Sequence, residues 1–265
     1  MRKFSSLIIV SCLSLCAPVF ANEKPLEQIQ IKDMTWIDIR DSVSRGFTTV
    51  IVPTGGIEQN GPQMALAKHD YIVNYAAQKI AAELGNTLIA PIISFVPQGN
   101  YAPPSGNMKF PGTIGVEVQT FELLLDNVAR SLKNTGFKHI IFIGDHGLSQ
   151  ASQIKIASKL SSEWLIDGIK ISHISSYYDD KPQYKMLDEK GFKTKAIGVH
   201  AGLIDTAELM YVNPPSVGLT KLTSSFEETA HLGASGNPEK ASPELGKILL
   251  EMRIQAAVNE IKLIK

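Results

Sequence analysis

The sequence predicts an α/β fold, an αβα sandwich in which helices cover both faces of a mostly parallel sheet. Candidate strands and helices alternate along the chain, an order typical of parallel sheets with helical crossovers. The segment HIIFI at 139–143 is apolar without a period of two, as expected for a strand covered on both faces. Polar clusters directly follow two strands, and ligands in such sheets bind beyond the carboxyl ends of strands.

The first half of the chain predicts three helices and two strands. β-branched residues at 48–52 predict a strand that ends at Pro53. Apolar residues recur three and four positions apart over 71–84, which predicts an amphipathic helix that Gly85 ends. Thr35 is a candidate N-cap for an earlier helix. The remaining elements are a strand at 87–95 and a helix at 121–132.

The second half continues the alternation. The predicted strands lie at 139–143 and 169–175, and the predicted helices at 149–165, 205–211 and 243–262. Pro243 suits the first turn of the last helix. The stretch 96–112, rich in proline and glycine, predicts a long loop. Within it, residues 96–108, with Gln98, Asn100 and Tyr101, are expected to line or cover a pocket. No repeat or domain-sized linker interrupts the pattern, so residues 22–265 are predicted to form a single domain.

The first 21 residues have the layout of a secretory signal peptide. Arg2 and Lys3 form a positive start, a short apolar stretch follows, and a small-residue cleavage site ends at Ala21. We therefore expect residues 1–21 to be removed and the protein to be periplasmic or secreted. A lipoprotein signal that uses Cys12 is the alternative.

Composition excludes several classes of protein. Both cysteines, Cys12 and Cys16, lie in the predicted signal peptide, so the mature fold is expected to hold no disulfide. The formal net charge is zero, and no long basic run suggests binding to nucleic acid or to an anionic membrane. After residue 21 no apolar stretch is long enough to span a bilayer, so no membrane span is expected.

Two polar clusters follow predicted strands and offer candidate metal ligands. The first cluster contains Glu58, Asn60, His69 and Asp70, and the second contains Asp145 and His146. Glu58, His69 and His146 supply one carboxylate and two imidazoles, a set that holds zinc with one position open for water. An ion in such an open site activates water for attack on a carbonyl carbon.

Three further carboxylates have several possible roles. Asp70, Asp145 and Asp205 are candidates to orient a ligand imidazole, to complete a second metal site or to accept a proton. A single histidine at a strand end is more often a hydrogen-bonded or surface residue, so the metal hypothesis depends on the two clusters meeting. The sequence contains neither a phosphate-binding glycine loop nor a G-x-S-x-G elbow for a serine nucleophile.

Five segments, in order, resemble motifs of the creatininase family of metal-dependent amidases. These segments are VIVPTGGIEQNGPQMAL at 50–66, FPGT at 110–113, GFKHIIFIGDHG at 136–147, HAGLIDTA at 200–207 and GASGNPEKASPELGKILLE at 233–251. The resemblance implies an αβα sandwich, a homo-oligomer and a metal centre that hydrolyses a C–N amide bond of a small molecule. It also places Glu58 and His146 on metal ligands.

The resemblance assigns two more positions and shows three departures. Asp205 falls on the acidic residue of the His-Ala-Gly motif, and His200 falls on a histidine that handles the proton of the substrate or leaving group. Asn60 stands where the family has a ligating histidine, and His69 stands where it has a bridging aspartate, with Asp70 one residue late. Leu148 stands where two-metal members have a carboxylate. We therefore expect one divalent ion rather than two, zinc first and manganese as the alternative.

Two functional hypotheses follow. The first is a metal-dependent amidohydrolase in which Asp205 or Asp145 acts as general base and His200 protonates the departing nitrogen. The second is a non-catalytic exported protein that binds a metal or another ligand on the same scaffold. The three departures support the second hypothesis because they remove the ligands of a second metal.

Overall fold

A computed structural model of the protein describes residues 28–221 and 231–264. Within these ranges four strands form one sheet, namely β1 (Thr49–Thr54), β2 (Thr87–Ile89), β3 (His139–Gly144) and β4 (Lys170–His173). The strand order is β2-β1-β3-β4, and every pairing is parallel. The α/β class is confirmed, and this sheet is wholly parallel. The predicted signal peptide lies outside the described residues.

Eight α-helices surround the sheet in the described part of the chain. They are α1 (Trp36–Ser44), α2 (Lys68–Leu84), α3 (Val118–Thr135), α4 (Gln150–Glu163), α5 (Lys181–Glu189), α6 (Thr194–Ile197), α7 (Leu203–Val212) and α8 (Pro243–Ile264). Thr35 caps α1 as predicted, in a capping box with Asp38. Gly85 ends α2 in the left-handed conformation, which glycine adopts without strain. No described helix is long and apolar enough to cross a bilayer.

The sheet separates two hydrophobic cores. Val50 and Val52 of β1 face one core, which α1, α3 and α4 cover, whereas Ile51 faces a second core formed with α2 and α8. The same alternation holds in β3, where Ile140 and Phe142 face the first core and Ile141 and Ile143 face the second. Burial on both faces explains why neither strand shows a polar period of two in its sequence.

The structure changes the bounds of several predicted elements. β2 ends at Ile89 instead of continuing to residue 95, because Pro91 has no N–H to donate to the ladder. The chain returns to the sheet only at Ile93, which forms an isolated bridge with Thr54. α2 begins at Lys68 rather than at residue 71, so its first turn contains His69 and Asp70. Helices α5 and α6 were not predicted.

The strand order determines where a ligand can enter. From β1 the chain crosses to β2 on one side, and the next strand, β3, pairs with β1 on the other side. This reversal leaves a crevice beyond the carboxyl ends of β1 and β3, where Thr54 lies opposite Gly144. Both polar clusters singled out in the sequence follow these two strand ends.

Helix α7 is held in place by close packing on α8. A Cβ atom on Gly246 of α8 would lie 1.9 Å from the carbonyl oxygen of Ala207 in α7. Such a distance is far inside van der Waals contact, so the two backbones approach this closely only because residue 246 has no side chain. Helix α7 also carries Asp205, so this packing positions one side of the crevice.

We expect Gly246→Ala to destabilise the fold by about 1–3 kcal/mol, because the added methyl group overpacks the α7–α8 contact. Helix propensity alone predicts the opposite sign, a gain of about 1 kcal/mol for the same replacement. Urea unfolding would measure the difference, with Lys247→Ala, an exposed change in the same turn, as the control. A Gly246→Ala protein at least as stable as wild type would contradict the packing argument.

Candidate metal centre

A polar cavity of about 140 Å³ lies beyond the carboxyl ends of β1 and β3. Its walls come from the β1–α2 loop, the first turn of α2, the β3–α4 connection and the start of α7. The lining includes Glu58, His69, His146, His200 and Asp205. Asp145 lines it as well, so six of the eight predicted site residues surround one cavity.

Glu58, His69 and His146 form the centre of the cavity wall. One carboxylate oxygen of Glu58, Oε1, lies 2.7 Å from Nε2 of His69, and the other, Oε2, lies 2.7 Å from Nε2 of His146. One potential ligand atom from each residue lies within 4.8 Å of the others, and all three side chains are buried. Glu58 and His146, which are 88 positions apart in the chain, thus meet, as the sequence predicted.

A carboxylate fixes the orientation of the His69 ring. Oδ2 of Asp145 lies 2.8 Å from Nδ1 of His69, on the ring edge opposite to Glu58. A carboxylate behind an imidazole is the usual support of a histidine that binds a metal through its other nitrogen. Asp145 therefore has the geometry of an orienting group, one of the roles that the sequence left open.

The charges at this centre are strongly coupled. Burial disfavours the Glu58 carboxylate, but the charge of His69 and the hydrogen bonds of both imidazoles hold the pKa of Glu58 well below its usual range. Burial and the nearby Lys68 charge lower the pKa of His69, yet Glu58 and Asp145 together raise it to about 9. Burial lowers the pKa of His146. In its protonated form His69 therefore donates Nδ1–H to Asp145 and Nε2–H to Glu58.

The donor set fits a divalent ion. Zinc takes nitrogen and oxygen ligands at about 2.0–2.2 Å, which places neighbouring ligand atoms roughly 3 Å apart. The three ligand atoms lie within 4.8 Å of one another, wider than that spacing, so binding an ion requires them to move closer together. They carry one negative charge and two neutral imidazoles once His69 loses its proton. Glu58, His69 and His146 are the residues that would hold the ion.

A buried arginine supports Asp145 from behind. Nη2 of Arg253 donates to Oδ1 of Asp145, which also accepts a hydrogen bond of 3.1 Å from the Tyr177 hydroxyl. Nη1 of Arg253 donates to Glu208 at 2.8 Å. Arg253 keeps the pKa of Asp145 below its usual range although burial opposes this. Asp145 thus has both oxygens engaged.

Sequence analysis missed Arg253, although a signal was present. In α8 the buried residues Leu249, Leu250, Ala257 and Val258 recur at helical spacing, and Arg253 occupies the same face. A charged residue on an apolar face requires a buried partner. That pattern could have indicated a paired arginine beneath the site.

A buried lysine pairs with Asp205. Nζ of Lys68 lies 2.9 Å from Oδ2 of Asp205, which also accepts the backbone N–H of Ala201 at 2.8 Å. The Lys68 side chain is 1% exposed, and the Asp205 side chain is 27% exposed. Although burial opposes its charge, Asp205 and Glu58 raise the pKa of Lys68. Sequence analysis also missed Lys68, because a lysine before a candidate ligand resembles an ordinary surface residue.

His200 reaches the centre from the α6–α7 connection. Nε2 of His200 lies 2.9 Å from the carbonyl oxygen of Gln59, and Nδ1 lies 3.7 Å from Oε1 of Glu58. Nε2 also lies 2.9 Å from the side-chain nitrogen of Gln59, which would donate to it in the tautomer that carries the proton on Nδ1. In the other tautomer Nε2–H donates to the Gln59 carbonyl oxygen, and Nδ1 is the free base on the side of Glu58. Burial and the Lys68 charge lower the pKa of His200, which favours a neutral ring.

Asp70 and Asn60, also predicted as ligands, make other contacts. Asp70 accepts hydrogen bonds from the Gly56 backbone at 2.9 Å and from the Ser94 hydroxyl at 2.5 Å, and it lies outside the three-residue group. The amide nitrogen of Asn60 donates to the carbonyl of Glu58 at 2.9 Å. Both residues therefore shape the loop that carries Glu58. Oδ1 of Asn60 is buried without a hydrogen-bond partner among the described residues.

The loop at 96–112 contacts the centre through Asn107, a residue that sequence analysis did not single out. The amide nitrogen of Asn107 donates to Oε2 of Glu58 and, at 3.1 Å, to the side chain of Gln98. Asn107 also lines the cavity. Asn107 is thus the residue through which the loop lines the cavity, as expected from the sequence.

Comparisons of sequence agree with the resemblance found in the motifs. The profile of the family described as creatininase, creatinine amidohydrolase, matches residues 32–261. A creatinine amidohydrolase of Pseudomonas putida is 22% identical over 89% of this chain and 97% of its own length. A mycofactocin precursor peptide peptidase of Mycolicibacterium smegmatis is 28% identical over 80% and 84%. A 3-dehydro-scyllo-inosose hydrolase of Thermotoga maritima is 26% identical over 79% and 65%.

Solved structures show the same fold. A creatinine amidohydrolase (creatininase) superposes with a TM-score of 0.73 at 19% identity, over 89% of this chain and 97% of that one. A creatininase described with Mn and a mutant described as Zn-Zn type each give a TM-score of 0.73 at 19% identity, over 89% of this chain and 98% of theirs. At this identity the comparison establishes the fold.

We expect Arg253→Met to destabilise the fold by about 3 kcal/mol or more, because it leaves Glu208 buried without a cation and Asp145 with the His69 imidazole alone. Lys262→Met is the matched control, since Lys262 lies in the same helix, pairs with Glu83 at the surface and is 48% exposed. That change should cost about 1 kcal/mol or less. Urea unfolding of both proteins would measure the costs, and equal costs would contradict a buried network under the site.

Proposed function

Because the chain belongs to the creatininase family, we propose that it is a metal-dependent amidohydrolase that cleaves a C–N amide bond of a small molecule. The observation that carries this proposal is the group of Glu58, His69 and His146 inside a polar cavity at the topological switch point of the sheet. The relatives named above are hydrolases or a peptidase by name, which supports a hydrolytic reaction.

The proposed cofactor is one divalent ion, zinc first and manganese as the alternative. Creatininase structures described as Zn-Zn type and as Mn support an ion of this kind. An ion held by Glu58, His69 and His146 would supply a water activated for attack and would polarise the scissile carbonyl. One ion is favoured because Asn60 and Leu148 stand where a second ion would need an imidazole and a carboxylate.

Proton transfer is proposed to depend on His200. Asp145 has both oxygens engaged by His69, Arg253 and Tyr177, so its contacts suit orientation better than proton transfer. Asp205 has one oxygen engaged by Lys68 and the Ala201 backbone. Nδ1 of His200 faces the Glu58 carboxylate, so it is placed to take a proton from the attacking water and return it to the leaving nitrogen.

The cavity favours a small substrate. Its volume of about 140 Å³ is enough for a ligand about the size of benzene, and its walls are mainly polar. A small lactam or linear amide fits this description. The location after export and the homo-oligomeric state, both expected from the sequence, stay predictions.

The second hypothesis, a non-catalytic binding protein, is supported by the three departures at Asn60, His69 and Leu148. Leu148 is 54% exposed and follows the His146-Gly147 pair without contributing to the three-residue group. The hydrolase is favoured because Glu58, His69 and His146 together form a three-ligand set, and His200 lies beside Glu58. Turnover is the property that separates the two hypotheses.

Zinc analysis of purified protein tests the proposed ligands. We expect wild type to retain about one equivalent and His69→Ala or His146→Ala to lose tight binding, because two protein ligands are too few for a zinc site. His231→Ala, an exposed histidine outside the cavity, should retain the ion. Two equivalents that survive His69→Ala would contradict the proposed site.

Hydrolysis of a panel of lactams and small linear amides, with zinc or manganese and with or without a chelator, tests the reaction. We expect turnover of at least one amide that the chelator abolishes. His200→Ala should lower kcat about 10²-fold or more, as for the loss of a general acid–base group, while the metal content stays unchanged. Turnover that the chelator does not affect would contradict a metal-dependent reaction, and no turnover of any amide would favour the binding protein.

A further inference from the structure

Lys68 occupies an unusual position for a lysine. Its side chain is 1% exposed, and it lines the same cavity as Glu58, His69 and His200. Lysine is almost never fully buried without a partner, since desolvating an ammonium group is costly. A cation at this position therefore needs an explanation beyond the packing of α2.

The hydrogen bonds of Lys68 leave donors available. An ammonium group carries three N–H donors. Within the described residues, the hydrogen bond of Nζ is the one to Oδ2 of Asp205, at 2.9 Å. Lys68 also lines the cavity, so we assign its remaining donors to an acceptor bound there. A substrate oxygen in the cavity would be such an acceptor.

A purely structural role explains the position poorly. Asp205 is 27% exposed and already accepts the Ala201 N–H at 2.8 Å, so water and backbone can solvate it without a buried lysine. Burying a second charge to pair with such a carboxylate generally gains little, because desolvation offsets the attraction. The ion pair instead holds the ammonium at one point beside the candidate ligands.

We propose that Lys68 is a catalytic residue whose ammonium group binds the carbonyl oxygen of the substrate amide and stabilises the oxyanion that forms on it. This inference rests on the proposed amide hydrolysis. Fixed positive charge aimed at a developing oxyanion, in a site shielded from water, is among the largest contributions to catalysis. Asp205 acts as the positioning residue that holds Lys68 in place.

The proposed reaction balances with the groups described. Water adds to the carbonyl carbon and gives one proton to Nδ1 of His200, while the π electrons of the C=O bond move onto the oxygen held by Lys68. The oxygen electrons then re-form the C=O bond, the C–N bond breaks, and His200 gives its proton to the leaving nitrogen. The products are an amine and a carboxylic acid, which ionises to a carboxylate beside Lys68.

Acetate binding tests the proposal without turnover, because acetate is a carboxylate of the kind that hydrolysis releases. Titration calorimetry on the metal-loaded protein should show that Lys68→Met weakens acetate binding about tenfold or more, through the loss of a charge-assisted hydrogen bond. Lys79→Met, an exposed change on the same helix, should bind acetate as wild type does. Wild type that does not bind acetate, or Lys68→Met binding within about twofold of it, would overturn the proposal.

The double variant Lys68→Met/Asp205→Asn is a control for the single variant, in which Asp205 would lose its cation and the fold could be destabilised. It removes both members of the ion pair and so leaves neither charge unpaired. It should show the same weakened acetate binding as Lys68→Met, with its zinc retained. Acetate affinity equal to that of wild type in the double variant would also overturn the proposal.

Kinetics on any amide that the wild type hydrolyses separate catalysis from binding. Lys68→Met should lower kcat about 10²-fold with a smaller change in KM, as expected for a group that acts mainly on the transition state. A rise in KM at constant kcat would contradict oxyanion stabilisation. If no amide is hydrolysed, amide hydrolysis itself fails, whereas the acetate titration still decides whether Lys68 binds a carboxylate.

Discussion

The Glu58 carboxylate is the group on which the rest of the site depends. Its two oxygens contact Nε2 of His69 and Nε2 of His146, each at 2.7 Å, and Nδ1 of His200 lies 3.7 Å away. The three imidazoles come from α2, the end of β3 and the α6–α7 connection, so one buried anion determines where three separate segments converge. Such convergence is possible because β1 and β3 are neighbours and their carboxyl ends open into one crevice.

Every buried charge around that anion has an opposite partner, and this pairing gives each acidic side chain a different role. Asp145 lies between Arg253 and His69 and therefore orients a ring. Asp205 pairs with Lys68 and holds a cation beside the cavity. Glu58 differs from them because its ion-pair partners are imidazoles alone, which would be neutral ligands of a metal once His69 loses its proton. The proposed metal position is thus the place where negative charge is balanced only by groups that can release protons.

The sequence predicted the sheet and the centre of the site because both follow from local patterns. Apolar strands identified β1 and β3, and Glu58, His69 and His146 are titratable residues that follow these strands, so sheet topology brought them together. Lys68, Arg253 and Asn107 were missed since their importance comes from burial and long-range partners, which periodicity does not reveal. β2 was predicted too long because the effect of Pro91 on strand pairing was not considered.

Under the proposed one-ion site, a second positive charge is still present in the cavity wall. Asn60 and Leu148 stand where the family resemblance implies strong ligands, whereas the Lys68 ammonium pairs with Asp205 at 2.9 Å. A covalently attached cation does not dissociate and needs no ligands beyond its counter-ion, so its position depends on the packing of α2 and α7. The close contact between Gly246 and Ala207 fixes α7 against α8, and through Asp205 it also fixes that charge. In this hydrolase model, folding supplies one positive charge and a bound ion supplies the other.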